Sequence, residues 1–318
     1  MDTLTITGLR TQFQTPKGPL PAVDGVDLRI PKGTIVGLVG ESGCGKSVTA
    51  LSVLGLVPPP GAVVGGTIDF WGQDLRRCPE QALRRLRGNR ISMIFQDPMT
   101  SLNPVVPVGE QVAEGLRLHL GLGRRAAKAR ALDCFQQVGI PDPAGRCGAY
   151  PRELSGGLRQ RVMIAMAMAC QPELLLADEP TTALDVTIQA QILQLMAQLR
   201  RDQGTAILLI THNMGVVAQL CDYVYVMYAV EIVEEAETFA LFRQPRHPYT
   251  QGLLRAIPSL EGGALTPIPG AVPELGALPP GCRFCGRCPK ETADCRERHP
   301  ALETVAAGHR ARCLHPEE

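Results

Sequence analysis

Short apolar runs and turn residues alternate over the first third of the chain, as in an α/β protein. The apolar runs that predict strands here are Leu4–Leu9, Val23–Ile30, Thr34–Val39 and Gly66–Phe70. Pro31-Lys32-Gly33 predicts the turn before the third of them. After Lys46 the apolar spacing becomes helical and stops at Pro58-Pro59-Pro60.

A helical stretch then interrupts this alternation. Ile91–Phe95 predicts a buried strand, and the two helices expected after it are Val108–His119 and Arg124–Val138. Strands and helices alternate again over Glu173–Ala177, Val186–Arg200, Ala206–Ile210, Val216–Leu220 and Tyr223–Tyr228. The pattern predicts an α/β core with a helical insertion at about residues 97–153.

The candidate chemistry begins directly after the third predicted strand. Gly40-Glu41-Ser42-Gly43-Cys44-Gly45-Lys46-Ser47 matches G-x-x-x-x-G-K-[ST], the phosphate-binding loop. Its glycines let backbone N–H groups approach phosphates, and the following helix directs its positive end at the same charge. The residues predicted to bind the nucleotide are Gly40, Ser42, Gly43, Cys44, Gly45, Lys46 and Ser47, with Ser47 also a ligand of Mg²⁺.

Two later motifs extend the ATPase pattern. The apolar strand Leu174–Ala177 places Asp178 and Glu179 at its carboxyl end, where ligand sites of α/β folds lie. Leu154-Ser155-Gly156-Gly157 begins a further predicted helix, with Ser155 as N-cap and two glycines that leave N–H groups accessible. This helix start is a second anion-binding feature in one chain.

In this order and spacing, the motifs resemble the ATP-binding subunit of an ABC transporter over almost the whole chain. The resemblance implies that Asp178 and Gln96 contact Mg²⁺, that Glu179 is the general base, and that His212 contacts the γ-phosphate. It also implies that Ser155, Gly156 and Gly157 bind ATP held by a sister subunit, and that Pro180–Asp185 crosses the interface. Phe13 is either the aromatic residue that stacks on adenine or a core residue.

Bulk properties limit the alternatives. The net charge of +1 gives no electrostatic reason to expect nucleic acid or an anionic membrane as partner. We expect no export signal, because residues 1–6 show neither a basic n-region nor an apolar h-region. The longest apolar run, Val162–Cys170, is about half of the ~18–20 residues that span a bilayer. We expect a subunit at the cytoplasmic face of the cell membrane, attached through permease subunits.

Two further passages resemble the dipeptide, oligopeptide and nickel importers, closest to the "D" ATPase of peptide permeases. They are Phe95–Pro104 and His247–Leu254, the second followed by Ala256-Ile257-Pro258. The resemblance implies import of short peptides with a sister ATPase, two membrane permeases and, indirectly, an extracytoplasmic binding protein. It places residues 102–106 against the permeases. Nickel, glutathione or another solute remains an alternative cargo, and a soluble ATPase acting on nucleic acid or ribosomes is a further alternative.

Five of the eleven cysteines lie beyond residue 281. Their spacing in a chain without an export signal predicts a metal site, which could hold zinc or an iron–sulfur cluster. The five are Cys282, Cys285, Cys288, Cys295 and Cys313. The permease resemblance implies a [4Fe–4S] cluster on all of them except Cys285, which would be a spare or alternative ligand. A redox or iron–sulfur carrier is the third functional reading, accessory to the ATPase. The other six cysteines are expected to be buried apolar thiols.

These features predict three segments: an ABC ATPase domain over 1–242, a proline-rich connector over 243–281 and a cysteine-rich appendage over 282–318. The connector is expected to be extended and to offer no apolar core that could hold the appendage. The stability of the appendage is therefore expected to depend on its metal. No route from the appendage to the γ-phosphate is evident either. Val230 and Ala236 occupy positions where these ATPases usually have glycine, in a turn expected to lie away from the phosphates.

Overall fold

The computed structural model describes residues 1–182, 184–256 and 267–317. Its strands are β1 Asp2–Thr15, β2 Gly18–Pro31, β3 Ile35–Val39, β4 Gly61–Phe70, β5 Gln73–Asp74, β6 Ile91–Ile94, β7 Leu174–Asp178, β8 Ala206–Thr211, β9 Tyr223–Tyr228, β10 Glu231–Glu237, β11 Glu303–Ala306 and β12 His309–Ala311. Its α-helices are α1 Lys46–Leu54, α2 Glu80–Leu86, α3 Pro98–Ser101, α4 Val108–Leu120, α5 Arg124–Gln137, α6 Pro143–Arg146, α7 Gly156–Met168, α8 Val186–Gln203, α9 Met214–Leu220, α10 Thr238–Arg243, α11 Pro248–Arg255 and α12 Ala293–Glu297.

One compact unit of the chain comprises Met1–Thr3, Ile30–Thr34 and Arg77–Leu209. Its strands lie in the order β8, β7, β6, and β6 pairs with β7 in parallel, with Ile94 beside Ala177. Every residue of β6 and β7 is buried, as their uninterrupted apolar sequences predict. Helices α4, α5 and α7 pack on one another and form the helical part of this unit, so the predicted helices over 108–119 and 124–138 are confirmed.

The second unit comprises Leu4–Arg29, Ile35–Arg76 and Ile210–Glu318, and it contains two sheets. The first has the strand order β2, β1, β4, β5, with β4 antiparallel to both of its neighbours. In the second the order is β11, β12, β10, β9, β3. Strands β3 and β9 are parallel, whereas β9, β10, β12 and β11 pair antiparallel in succession.

Strand β10 is absent from the sequence prediction. Its sequence, Glu231-Ile232-Val233-Glu234-Glu235-Ala236-Glu237, contains four carboxylates, which argue against a buried strand. Nevertheless, its first six residues are buried because β9 and β12 flank the strand, and histidine and arginine side chains contact its glutamates. His309 contacts Glu234 at 2.7 Å, and Arg310 contacts Glu235 at 3.0 Å. Both partners come from β12, near the end of the chain.

The expectation of an extended connector after residue 242 is wrong in part. Residues 248–255 form helix α11, which begins with Pro248 at its first position and His247 as N-cap. Tyr249 and Thr250 are buried there. The predicted motif residues Ile257 and Pro258 lie outside the described residues, and 267–281 contains no helix or strand. Among the described residues, no helix combines the length and the hydropathy that crossing a membrane requires.

Candidate functional site

The phosphate loop leads from β3 into α1, as predicted, and two of its glycines have no substitute. Gly40 has φ +152° and Gly45 has φ +104°, conformations that L-residues rarely adopt. A Cβ on Gly40 would collide with the carbonyl oxygen of Met227, and one on Gly45 with that of Ala22. The backbones of β9 and β2 therefore fix the loop from both sides.

Lys46 begins α1 and directs its ammonium group back into the loop. Its Nζ donates to the carbonyl oxygens of Gly40 at 2.8 Å and Glu41 at 2.9 Å, and lies 3.6 Å from Cys44 Sγ. Only 8% of the residue is exposed. These partners are neutral, so the charge of Lys46 is available to an anion. Ser42 and Gly43 are exposed and Ser47 is half-buried, in the same unit.

The turn that contains Val230 lies against this loop, and the expectation that it lies away from the phosphates is wrong. Ala229 and Val230 form the two-residue connection between β9 and β10, with φ +42° and +68°. The N–H of Val230 donates to the carbonyl oxygen of Cys44 at 3.1 Å. Val230 therefore occupies a left-handed position that favours glycine, and the fold retains it because the turn is buried and hydrogen-bonded. Ala236, by contrast, is an ordinary strand residue of β10.

The predicted catalytic carboxylates stand at the carboxyl end of β7, in the other unit. Asp178 is its last residue and is 2% exposed. Glu179 follows with φ +50°, and its Oε2 accepts a 3.0 Å hydrogen bond from the hydroxyl of Thr182. A glutamate in the left-handed region is strained, a feature that clusters at functional sites. Gln96 lies in the same unit, exposed, two residues beyond β6.

The Leu-Ser-Gly-Gly motif begins α7 as predicted. The hydroxyl of Ser155 caps the helix by accepting from the N–H of Leu158 at 3.4 Å. Ser155 and Gly156 are exposed, so the first N–H groups of a 13-residue helix are accessible to an anion. One turn later, the buried Gln160 contacts the backbone that follows Glu179, and the sequence reasoning missed this link. Its Nε2 donates to the carbonyl oxygen of Pro180 at 2.7 Å.

Three predicted site residues have less distinctive surroundings. Asp185 is exposed and N-caps α8 by accepting from Ile188 N–H at 3.0 Å. His212 is exposed between β8 and α9. Phe13 is half-buried on β1, where it pairs with Gly61 of β4. Ala183 of the predicted interface segment lies outside the described residues.

The cysteines beyond residue 281 converge on one cavity. All five line it, together with His247, Phe284 and His315. Burial raises the pKa of Cys282 to about 12 and that of Cys313 to about 11, and it also raises the pKa values of Cys285 and Cys288. Without a metal these thiols are protonated at neutral pH, and a metal ion would displace the protons. The five cysteines of this cavity fit a metal centre held by four thiolates, and the fifth cysteine is then not needed as a ligand.

A second donor group overlaps this cavity and was missed from the sequence. The ligand atoms of Asp294, Cys295 and His315 lie within 4.8 Å of one another. His315 Nε2 is 2.9 Å from the hydroxyl of Thr292 and 3.2 Å from Asp294 Oδ1. An N/O/S donor set of this kind is typical of zinc.

The cysteine-rich segment also has apolar contacts, which corrects the expectation that the connector over 243–281 offers no apolar core to hold it. Phe284 is 2% exposed and packs its ring against Tyr228 and Tyr249, with ring centroids 5.2 and 5.5 Å apart. Strand β12 pairs with β10. The expectation that no route leads towards the phosphates is also wrong, because Arg287 contacts Glu41 of the phosphate loop at 2.7 Å.

Comparison with known families agrees with these features. Residues 23–182 match the ABC transporter family, and residues 233–295 match the oligopeptide/dipeptide transporter C-terminal region. The second match covers most of β10, all of α11 and four of the five cysteines of the cluster.

The chain is similar over nearly its full length to two transport proteins. It is 48% identical to the dipeptide transport ATP-binding protein DppD of Escherichia coli (strain K12), covering 99% of this chain and 97% of that protein. It is 50% identical to the oligopeptide transport ATP-binding protein AppD of Bacillus subtilis (strain 168), with the same two coverages.

A solved structure is similar over the ATPase part. It is the dimeric post-hydrolysis state of the ATP-binding cassette MJ0796 bound to ADP and Pi, with a TM-score of 0.69 and 25% identity. The similarity covers 74% of this chain and 98% of that one.

Proposed function

This chain belongs to the ATP-binding subunits of ABC transporters, and we propose that its ATP hydrolysis drives the import of short peptides. The observation that carries the proposal is the pairing of an ATPase match over 23–182 with a peptide-transporter match over 233–295 in one chain. Both relatives described above are peptide transport proteins by name. Nickel or glutathione import is the alternative use of the same ATPase.

The phosphate loop supplies the nucleotide contacts. We assign phosphate binding to the loop residues Gly40, Ser42, Gly43, Cys44, Gly45, Lys46 and Ser47, of which Ser42 and Gly43 are exposed. Lys46 exchanges its carbonyl partners for phosphate oxygens, since both are acceptors for an ammonium group. Phe13 is the proposed adenine contact, in the same unit as the loop.

Hydrolysis is assigned to Glu179, His212 and Gln96. Glu179 activates water as general base, and its bond from Thr182 orients the carboxylate. His212 is assigned to contact the γ-phosphate, and Gln96 is assigned to contact the attacking water. Ser47, Gln96 and Asp178 offer oxygen ligands suited to Mg²⁺. When bound, Mg²⁺ neutralises charge on the transferring phosphoryl group.

The start of α7 serves a second nucleotide. One phosphate loop suffices for one triphosphate, so the accessible N–H groups at Ser155, Gly156 and Gly157 are assigned to ATP held by a sister ATPase subunit. Asp185 caps α8 in the segment that the same assignment places at the subunit interface. ATP then closes the dimer, and hydrolysis reopens it.

The remaining partners are two membrane permeases and, through them, an extracytoplasmic binding protein. Met99 and Val105 are 64% and 77% exposed, so both apolar side chains are accessible to a partner. We assign them and their neighbours over 102–106 to the contact with the permeases. This arrangement places the chain at the cytoplasmic face of the cell membrane.

The cysteine cavity is the proposed site of a [4Fe–4S] cluster held by Cys282, Cys288, Cys295 and Cys313. The support is that all four thiols line one cavity. In addition, burial raises the pKa values of Cys282, Cys288 and Cys313, which favours the neutral thiols whose protons a metal displaces. Cys285 is a spare or alternative ligand. Zinc is the second candidate, supported by the Asp294, Cys295 and His315 donor group. The cluster supplies structure or redox sensing, and no catalytic step is assigned to it.

The experiment that tests peptide import uses the complete transporter in proteoliposomes. Uptake of a labelled dipeptide is measured with the wild-type chain, with Lys46→Ala and with the control Lys128→Ala, an exposed lysine outside the site. We expect ATP-dependent uptake in the wild type and the control, and its loss in Lys46→Ala. Uptake of nickel or glutathione without any peptide uptake would instead establish the alternative cargo.

A further inference from the structure

All three polar groups of Glu41, the second residue of the phosphate loop, are bound by other residues. Its N–H donates to the phenol oxygen of Tyr249 at 2.8 Å. Its carbonyl oxygen accepts from Lys46 Nζ at 2.9 Å. Its carboxylate receives both terminal nitrogens of Arg287, at 2.7 and 3.0 Å. Two of these three partners, Tyr249 and Arg287, lie in the C-terminal region rather than in the motif.

Arg287 lies between Cys285 and Cys288, in the cysteine-rich segment. Its side chain is 5% exposed, and its Nε donates to the carbonyl oxygen of Pro269 at 2.9 Å. One terminal nitrogen also donates to the phenol oxygen of Tyr228 at 3.2 Å. These contacts hold the guanidinium in one orientation, so its position follows that of the cysteine loop.

Phe284 anchors the same loop from the other side. Its ring packs on Tyr228 and Tyr249, and Tyr249 is itself the acceptor for the N–H of Glu41. The loop from Cys282 to Cys288 therefore has two connections to Glu41. One passes through Arg287, and the other through Phe284 and Tyr249.

A purely structural role is the simpler explanation of the Arg287–Glu41 pair, since an Arg–Glu pair often only attaches a terminal segment to the rest of the protein. Two observations argue against it. The carboxylate belongs to the phosphate loop itself, and Lys46 binds the carbonyl oxygen of the same residue. In addition, a bidentate pair fixes orientation as well as distance, which tail attachment alone does not require.

We propose that Arg287 is a positioning residue of the nucleotide site, which links the state of the cysteine cavity to ATP affinity. The inference rests on the proposed ATP and metal sites. Arg287 holds Glu41, and thereby the loop carbonyls around Lys46, in the geometry that accepts phosphate. Because linkage is reciprocal, bound ATP must also stabilise the cysteine loop.

The test measures ATP affinity and steady-state kinetics in the complete transporter, with variants Arg287→Ala, Arg287→Lys, Glu41→Gln and the double variant Glu41→Gln/Arg287→Ala. The control is Arg310→Ala. Arg310 is also a C-terminal arginine bound to a glutamate, Glu235, at 3.0 Å, and its guanidinium also donates to the carbonyl oxygen of Leu302 rather than to the phosphate loop.

We expect Arg287→Ala to raise the Kd and KM for ATP about three- to tenfold, a range typical of coupled charged neighbours, with little change in kcat. Arg287→Lys keeps the charge without the two-point contact, so its Kd and KM for ATP should lie between those of the wild type and of Arg287→Ala. The double variant should bind ATP no more weakly than the weaker-binding of the two single variants, because both changes remove the same contact. Unchanged ATP affinity in Arg287→Ala, or additive losses in the double variant, would overturn the proposal. If the wild type itself bound no ATP, the proposed function would fail first.

A second measurement follows metal release to a chelator with and without ATP. We expect ATP to slow release in the wild type and in Arg310→Ala, and to slow it less in Arg287→Lys. An equal effect of ATP in Arg287→Lys would show that the two sites communicate without Arg287 and would overturn its role.

Discussion

The side-chain amide of Gln160 donates a 2.7 Å hydrogen bond to the carbonyl oxygen of Pro180. Gln160 is 1% exposed and lies one turn into α7, whose start carries Ser155 and Gly156. Pro180 directly follows Glu179. The contact therefore connects the helix assigned to a sister subunit's ATP with the residue assigned as this subunit's own base.

Replacing Gln160 with Leu is expected to impair hydrolysis more than ATP binding. The substitution leaves the carbonyl of Pro180 without this donor, a cost of about 1–3 kcal/mol for a buried acceptor. The phosphate loop is unchanged, so ATP affinity stays within about twofold of the wild type. Denaturant unfolding and ATPase assays of the assembled transporter measure the two effects. Unchanged turnover would show that the contact is structural only.

Glu179→Gln is expected to keep ATP binding and abolish most hydrolysis, because an amide retains the shape but cannot accept the proton. The variant should trap an ATP-bound dimer with the sister subunit. The matched control is Glu173→Gln, which alters the glutamate paired with Arg90 immediately before β7. Near wild-type turnover in the assembled transporter would exclude Glu179 as the base.

Ser155→Arg should block dimer closure and transport while the variant still binds ATP in its own phosphate loop. The physical reason is that a bulky side chain covers the N–H groups at the start of α7, while the sequence of the phosphate loop is unchanged. Binding of a fluorescent ATP analogue and peptide uptake separate the two steps. Loss of the variant's own ATP binding would mean that α7 does not act in trans.

The metal proposal distinguishes between neighbouring cysteines. Protein prepared without oxygen should be brown and contain about four iron atoms per chain. Cys288→Ser should lose the cluster and Cys285→Ser should retain it. If the protein instead contained stoichiometric zinc without iron, and His315→Ala lost that zinc, the site would be the donor group of Asp294, Cys295 and His315. Because Phe284 packs on Tyr228 and Tyr249, and β12 pairs with β10, the metal-free chain should keep this segment folded, with reduced stability.

Acidification should destabilise the fold through His247. Burial lowers its pKa to about 4, against the nearby charges of Glu234 and Glu231, which raise it. Its Nδ1 accepts from the N–H of Tyr249 at 3.1 Å, which requires the unprotonated nitrogen. Because the pKa is depressed in the folded protein, the contribution of neutral His247 to the free energy of unfolding is complete above about pH 6.5. It is lost as the pH falls towards 4. The contribution is about 3 kcal/mol for a shift of this size.

His247→Asn is the control for this effect, since asparagine can cap α11 without titrating in that range. Denaturant unfolding at pH 7.5, 6 and 5 should show a steeper loss of unfolding free energy in the wild type than in the variant. Equal slopes would assign the pH dependence to other groups.

The sequence by itself determined the ATPase motifs, because each depends on neighbours within one short segment. The strand–loop–helix from Ile35 to Leu54 and the buried strand ending at Asp178 follow from local spacing and apolar character. The capped helix start at Ser155 follows in the same way.

Only the tertiary structure decided what surrounds these motifs. Strand β10 contains four glutamates, and its burial depends on the distant His309 and Arg310, which no local pattern reveals. The left-handed turn at Val230 and the contact of Arg287 with Glu41 likewise join segments far apart in sequence. Periodicity reports which face of an element is apolar, whereas partner choice depends on which distant segments the folded chain brings together.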